Sequence, residues 1–206
     1  MEDAPRALPL TRLAHERLRA HLREGDVAVD ATVGNGHDTS LLAEAVGASG
    51  RVYGFDVQCA ALRSARARLT GRGLQDRVQL VHAGHERMRE YLPESLWGRV
   101  AAVTFNLGYL PGGDHSLVTR PVTTLEALAQ SLGLLAPSGI VSVLVYVGHP
   151  GGDAELRGVE DWLRRLDPAP GVERHAGRSP RSPVLFLIRP TDPGAAEDGL
   201  VTKGRP

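Results

Sequence analysis

Val27-Ala28-Val29-Asp30-Ala31-Thr32-Val33-Gly34-Asn35-Gly36-His37-Asp38-Thr39 joins an apolar strand, a glycine turn and the start of a helix in thirteen residues. Val27 to Ala31 reads as the strand, and a helix follows from about Asp38 to Val46. Glycine lets the backbone turn tightly and approach a ligand, and a helix that begins there aims its unpaired N–H groups at whatever the turn holds. The same unit recurs outward from this point. Upstream, Leu10, Leu13, Ala14, Leu18 and Leu22 repeat at helical spacing until Gly25 ends the helix. Downstream come a strand at Arg51 to Asp56, an arginine-rich helix from about Gln58 to Thr70, and strands at Val78 to His82 and Val100 to Asn106. Beyond a Gly/Pro-rich loop, Thr123 to Leu135 and Asp153 to Leu166 read as helices and Gly139 to Tyr146 as a fully apolar strand. The last strand is Val184 to Ile188, paired with a segment near Val172 to His175. Alternation of this kind predicts an α/β fold whose mostly parallel sheet carries helices on both faces, because each crossover lays a helix against the sheet.

The chain has 206 residues, 42% hydrophobic and 23% charged, which suits one domain with an ordinary core over residues 1–190. Residues 191–206, rich in Gly, Pro and charge, read as a disordered tail. No apolar run approaches the roughly 20 residues that span a bilayer, and the first residues lack the pattern of a secretory signal. The single cysteine, Cys59, excludes an internal disulfide framework and a multi-cysteine zinc site. A cytoplasmic enzyme is expected. Twenty-four basic residues balance 24 acidic ones, so net charge does not advertise a nucleic-acid partner. Lys203 is the only lysine, and arginines cluster at Arg12, Arg17, Arg19 and Arg23 and again at Arg63, Arg66, Arg68 and Arg72. Such runs read first as solvated helix faces.

In open α/β sheets ligands bind beyond the carboxyl ends of the strands, where Asp30 to Gly36 stands. A dinucleotide fingerprint needs a third small residue three places after Gly36, and Thr39 occupies that place. This favours a ligand without a pyrophosphate over NAD. Asp56 ends the second strand, 20 residues after Gly36. A carboxylate there accepts hydrogen bonds from ribose hydroxyls and so suits an adenosine cofactor, with Gln58 placed to assist. Its alternative role is to cap the next helix. His82-Ala83-Gly84-His85-Glu86, after the third strand, stands where an adenine base would be held, or else forms a plain surface turn. His85 and Glu86 lack further metal ligands at helical spacing, so no metal is expected.

Asn106-Leu107-Gly108-Tyr109-Leu110-Pro111-Gly112-Gly113-Asp114-His115-Ser116 follows the fourth strand. Its Asn–x–x–Tyr resembles the (Asp/Asn)-Pro-Pro-Tyr motif of amino-group methyltransferases. An amine must keep its lone pair in line with the methyl it attacks, so groups that accept its N–H bonds orient it without using that pair. The Asn106 side-chain oxygen and the Leu107 carbonyl suit this, and Tyr109 suits stacking on a flat base. A primary alkylamine is largely protonated at neutral pH, near the lysine reference of about 10.4. The site must therefore take up a proton or lower that value by desolvation. Asp114 and His115 are candidates, and His149 in Gly148-His149-Pro150-Gly151-Gly152 is a third. A packing role for His149 and core burial for Tyr109 are the alternatives.

Three blocks together, Asp30 to Thr39, Asn106 to Ser116 and Gly148 to Gly152, resemble a bacterial family once labelled rRNA methylases and now assigned as tRNA wobble-uridine aminomethyl methyltransferases. The resemblance runs from Ala14-His15 to the last strand. It implies a Rossmann-like class I methyltransferase fold with a seven-stranded sheet, and S-adenosylmethionine as cofactor. The implied reaction converts the primary amine of 5-aminomethyl-(2-thio)uridine in tRNA to the 5-methylaminomethyl form. By the same resemblance Asn35, Asp38, Asp56, Gln58, Gly84 and His85 hold the cofactor, with Asp30, Gly34, Gly36 and Thr39 of the turn. Asn106, Tyr109, Asp114 and His115 face the amine, and His149 lies on the substrate side. A homodimer is compatible with all of this. Relatives carry an Asn-Gln and a Pro-Pro pair before the last strand, whereas this chain has Gly177-Arg178-Ser179-Pro180-Arg181-Ser182-Pro183. The added Arg178 and Arg181 point to phosphate contact.

Three other readings remain open at this level. An rRNA cytosine-N4 methyltransferase shares the Asp-x-Thr-x-Gly-x-Gly start but carries a large inserted helical domain. A small-molecule N-methyltransferase fits the zero net charge. A non-catalytic cofactor-binding module would have no need of the Asn106–Ser116 loop.

Overall fold

Side chains of a β-strand leave alternately on its two faces, and in this chain both faces are apolar. The computed structural model describes residues 9–110, 112, 118–177, 179 and 181–191. In β5 (Leu135–Val145), Val141, Val143 and Val145 join one buried cluster while Ile140 and Leu144 join another. In β7 (Val184–Arg189), Val184, Phe186 and Ile188 go to the first cluster, Leu185 and Leu187 to the second. Two-sided burial of this kind is what a sheet with helices on both faces demands. The helices α1 (Leu10–His21), α2 (His37–Ala45) and α3 (Cys59–Thr70) cover the second cluster. On the opposite face, α4 (Met88–Tyr91), α5 (Pro121–Leu134) and α6 (Gly152–Arg165) cover the first.

The remaining strands are β1 (Val27–Asp30), β2 (Arg51–Asp56), β3 (Val78–His82), β4 (Val100–Leu107) and β6 (Gly171–Ala176). Their order across the seven-stranded sheet is β3-β2-β1-β4-β5-β7-β6. All neighbours are parallel except β5–β7 and β6–β7. The chain leaves β1 toward β2 and β3 on one side, then returns to lay β4 on the other. The connections that leave the carboxyl ends of β1 and β4 therefore run to opposite faces of the sheet, to α2 and α5, and this is where open α/β sheets form a crevice.

Gly36, in the left-handed region at φ 77, starts α2. A Cβ at this position would fall 2.7 Å from the Ala65 Cα, so α2 meets α3 through bare backbone.

Two elements depart from expectation. β5 begins at Leu135 rather than Gly139, because α5 runs directly into it. Between the pairs Val100↔Leu135 and Ala102↔Ile140 the register shifts, and residues 136–139 bulge out of the ladder. The four-residue α4 was absent from the sequence reading, being too short to show a helical period; Met88 is its buried residue. Residues 192–206, expected as a tail, lie outside the described residues. Among the described residues no helix is long and apolar enough to cross a membrane, and no group of three or more His, Cys, Asp or Glu side chains is arranged to hold a metal ion.

Candidate active site

Asp30, at the end of β1, is completely buried. Its Oδ2 accepts a 2.6 Å hydrogen bond from the Thr39 hydroxyl and its Oδ1 a 3.1 Å bond from the Thr32 N–H. Asp30 and Thr39 thus tie the strand end to the first turn of α2 from beneath, and neither lines a cleft. Burial, and then the charge of Asp38, raise the Asp30 pKa to about 7. Asp30 therefore holds its proton more readily folded than unfolded. Its contribution to stability is complete below about pH 4 and is lost as the pH rises through about 7. Asp30→Asn removes this titration. The stability difference between wild type and variant, measured by denaturant unfolding, is expected to shift against wild type between about pH 4 and pH 7 and then level off. A difference constant across that range would refute the assignment.

Asp56 ends β2. Its Oδ2 accepts the Gly34 N–H at 2.9 Å and its Oδ1 the Gln58 N–H at 2.8 Å. The N-cap of α3 is Gln58, so Asp56 latches the glycine turn rather than capping the helix itself. A carboxylate has about four acceptor positions, so two remain for a ligand. These open on a first cleft of about 370 Å³, shared with Gln58, Gly84 and His85. Burial above all lowers the His85 pKa and so favours the neutral ring. Its Nδ1 lies 3.3 Å from the Ala31 carbonyl, which can only accept, so Nδ1 carries the proton. The ring stands edge-on to Phe105.

A second cleft, of about 490 Å³, opens on the other side of the glycine turn. Thr32, Gly34, Asn106, Gly108 and Tyr109 line both, forming the seam between them. Asn106 is fixed there from two directions. Its N–H donates to the Thr32 hydroxyl at 2.7 Å, and its side-chain Nδ2 donates to Asp38 Oδ2 at 2.8 Å. The other Asp38 oxygen lies 2.7 Å from His15 Nε2. Burial pushes the Asp38 pKa up, but the hydrogen bonds from His15 and Asn106 and the nearby imidazoles outweigh it, leaving it below the usual carboxylate value. An ionised carboxylate can only accept. The amide nitrogen is therefore the end of Asn106 that faces Asp38, and the amide oxygen is turned away from it.

Tyr109 is 41% exposed, which excludes simple core burial. It forms an isolated antiparallel bridge with Val118, and its ring stands edge-on to His149 at 5.8 Å. His149 Nδ1 lies 2.9 Å from the Pro150 carbonyl, while its Nε2 is buried without a hydrogen-bond partner among the described residues. The returning limb of the loop is pinned by a buried carboxylate. Glu155 Oε2 accepts the Thr119 hydroxyl and Oε1 the Thr124 hydroxyl, each at 2.6 Å.

Asn35, Asp38, His149 and Arg181 therefore share the second cleft, and Gly34 with Asn106 and Tyr109 forms the seam. Gly36 packs against α3. Asp114, His115 and Arg178 lie outside the described residues. Sequence reasoning assigned no role to His15, Thr32 or Glu155. His15 carried one faint signal, its place at the start of the family resemblance; the other two gave none.

A family model described as "Putative rRNA methylase" matches residues 52–177. The chain is 41% identical over 170 residues to the chloroplastic tRNA (mnm(5)s(2)U34)-methyltransferase of Arabidopsis thaliana. That match takes in 74% of this chain but 61% of the relative, so the chain spans less than two thirds of the relative's length. The crystal structure of a "putative rRNA-methylase" from Clostridium thermocellum superposes with a TM-score of 0.85 at 39% identity, over 90% of this chain and 100% of that one. A "putative methyltransferase" from Streptococcus mutans, solved in complex with SAH, superposes at 0.77 with 32% identity, over 93% of this chain and 100% of that one. On these matches the chain has the Rossmann-like methyltransferase fold and belongs to the rRNA methylase family.

Proposed function

We propose that this chain is an S-adenosylmethionine-dependent methyltransferase acting on the primary amine of 5-aminomethyl-(2-thio)uridine at the wobble position of tRNA. The observation that carries the reading is Asn106. It stands on the seam of two clefts with its amide nitrogen committed to an ionised Asp38, so its oxygen is the end left to accept an N–H bond.

The first cleft fits the adenosyl part of the cofactor. Asp56 keeps acceptor positions for a ribose diol, Gln58 lies beside it, and Phe55, Ala83 and Leu110 supply apolar wall. Its volume of about 370 Å³ falls in the range of small-molecule sites, roughly 300–1,000 Å³. When bound, S-adenosylmethionine supplies an electrophilic methyl group on a sulfonium. The chain's part is to hold and orient. The Asn106 oxygen accepts an N–H bond of the amine, while Tyr109 and Tyr146, both partly exposed on the second cleft, offer ring surface to the base. The Leu107 carbonyl, expected to share the amine, instead accepts the Tyr146 N–H at 2.9 Å in the sheet, and Leu107 lines neither cleft. Arg181, on the same cleft, suits a phosphate. Support for the substrate comes from the Arabidopsis relative, a tRNA (mnm(5)s(2)U34)-methyltransferase by name, and for the cofactor from the SAH-bound Streptococcus structure. The partner is then tRNA, and the place of action the cytoplasm.

The test is nucleoside mass spectrometry of tRNA from cells that lack this wobble methylation, before and after incubation with the purified protein and S-adenosylmethionine. Conversion of aminomethyluridine to methylaminomethyluridine is expected. No conversion by a protein that binds SAH in calorimetry would overturn the substrate and redirect the search to rRNA or small amines.

A further inference from the structure

A primary alkylamine with a pKa near 10.4 is neutral in roughly one molecule in a few thousand at pH 7. The acceptor offered by Asn106 binds its ammonium as well as its free base, so it orients the group without removing its proton. The site removes that proton by desolvation or with a proton acceptor in the second cleft. His15 reaches the cleft from α1, and its Nε2 meets Asp38 Oδ1 at 2.7 Å. Because the carboxylate is acceptor-only, Nε2 carries the hydrogen and the lone pair is left on Nδ1. The second oxygen of the same carboxylate binds the Asn106 amide at 2.8 Å. One partly buried anion thus links the residue that holds the amine to an imidazole in its basic tautomer, an arrangement that orients a base and stabilises the imidazolium it becomes.

We propose that His15, held by Asp38, is the proton acceptor for the substrate ammonium. The proposal rests on the amine-methylation reading above. In the step, one N–H bond of the ammonium breaks, its electron pair stays on the amine nitrogen, and the proton forms an N–H bond at His15 Nδ1. The proton then passes to water, since the His15 side chain is 23% exposed. The amine, now neutral, has its lone pair available for the methyl group.

Among the described residues, the other charged groups around His15 leave this role to it. His37, at the start of α2, has its pKa lowered by burial and by Arg68, whose Nη2 stands 3.1 Å from its Nε2. On α1, Arg12 pairs with Glu16, and Arg17 reaches Glu173 on β6. Arg181 and His149 stand on the same cleft, but the buried Nε2 of His149 is shut off from solvent.

Two measurements test the proposal. Nitrogen-15 NMR of the protein alone should show His15 as the Nε2–H tautomer, and Asp38→Ala should lose that preference. Single-turnover rates on hypomodified tRNA should reach a plateau with rising pH for wild type. For His15→Gln they should be about 10²–10³-fold lower at pH 7 and climb with pH toward the amine's own range near 10.4. His15→Asn, whose amide can still donate to Asp38, guards against misfolding, and unchanged SAH affinity in calorimetry certifies either variant. A wild-type pH profile in both variants, or an Nδ1–H tautomer, overturns the proposal while tRNA methylation by wild type keeps the functional reading intact. Absence of that methylation removes both.

Discussion

Asn106→Ala is expected to lower kcat for methyl transfer by about 100-fold or more, comparable to the loss of one preorganised hydrogen-bonding group in other active sites. Affinity for SAH should stay within about twofold, because the contacts proposed for the cofactor at Asp56 and Gln58 are untouched. The size follows from the two constraints on the residue. Its backbone N–H is fixed by Thr32 and its side-chain nitrogen by Asp38, so the oxygen is held before any substrate arrives. Alanine removes that acceptor and also leaves Asp38 with His15 as its remaining side-chain hydrogen-bond partner among the described residues. Asn106→Asp separates the two effects. It restores an oxygen but sets one carboxylate against another, and the pair can be accommodated only by sharing a proton. Its activity relative to wild type should therefore fall as the pH rises. Stopped-flow transfer rates at several pH values, with calorimetry for SAH, decide the matter. An Asn106→Ala rate equal to wild type would remove the amine-holding role altogether.

What the sequence disclosed and what it withheld follow from the range of the interactions. The alternation of strands and helices was legible because it is written in local periodicity: the run from Ile140 to Val145, apolar but for Ser142, is buried on both faces of the sheet and reads as such. Asp56 and Asn106 were legible because a residue at the carboxyl end of a parallel strand faces the crevice wherever the rest of the chain goes. The motif around Gly34 and Gly36 could not separate residues that line the clefts from residues that hold the turn. Asp30 and Thr39 belong to the second kind, buried and bonded to each other beneath the turn. His15 meets Asp38 across 23 residues of chain, and Glu155 meets Thr124 and Thr119 across 31 and 36. Such contacts depend on how α1 packs on α2 and α6 on α5, and no local pattern records them.

Asp56→Ala is expected to give the reciprocal result, a cofactor affinity weakened by about 100-fold, as for the loss of one or two hydrogen bonds to a charged group at about 1.5–3 kcal/mol each. Turnover at saturating S-adenosylmethionine should remain close to wild type, because Asn106, on the seam, is held by Thr32 and Asp38 and not by Asp56. The loss has two sources. One is the acceptor positions for the ribose diol. The other is the latch on the turn, since the Gly34 and Gln58 N–H groups both rest on this carboxylate. Asp56→Asn tests whether the latch counts. An amide offers one oxygen, so its nitrogen must face one of the two backbone donors, and the variant should bind about as poorly as alanine rather than halfway between. Calorimetric titration with SAH measures all three proteins directly. Wild-type affinity in Asp56→Ala would mean that the first cleft does not hold the cofactor. An Asp56→Asn protein of intermediate affinity would instead assign the loss to the ribose alone and leave the glycine turn standing without its latch.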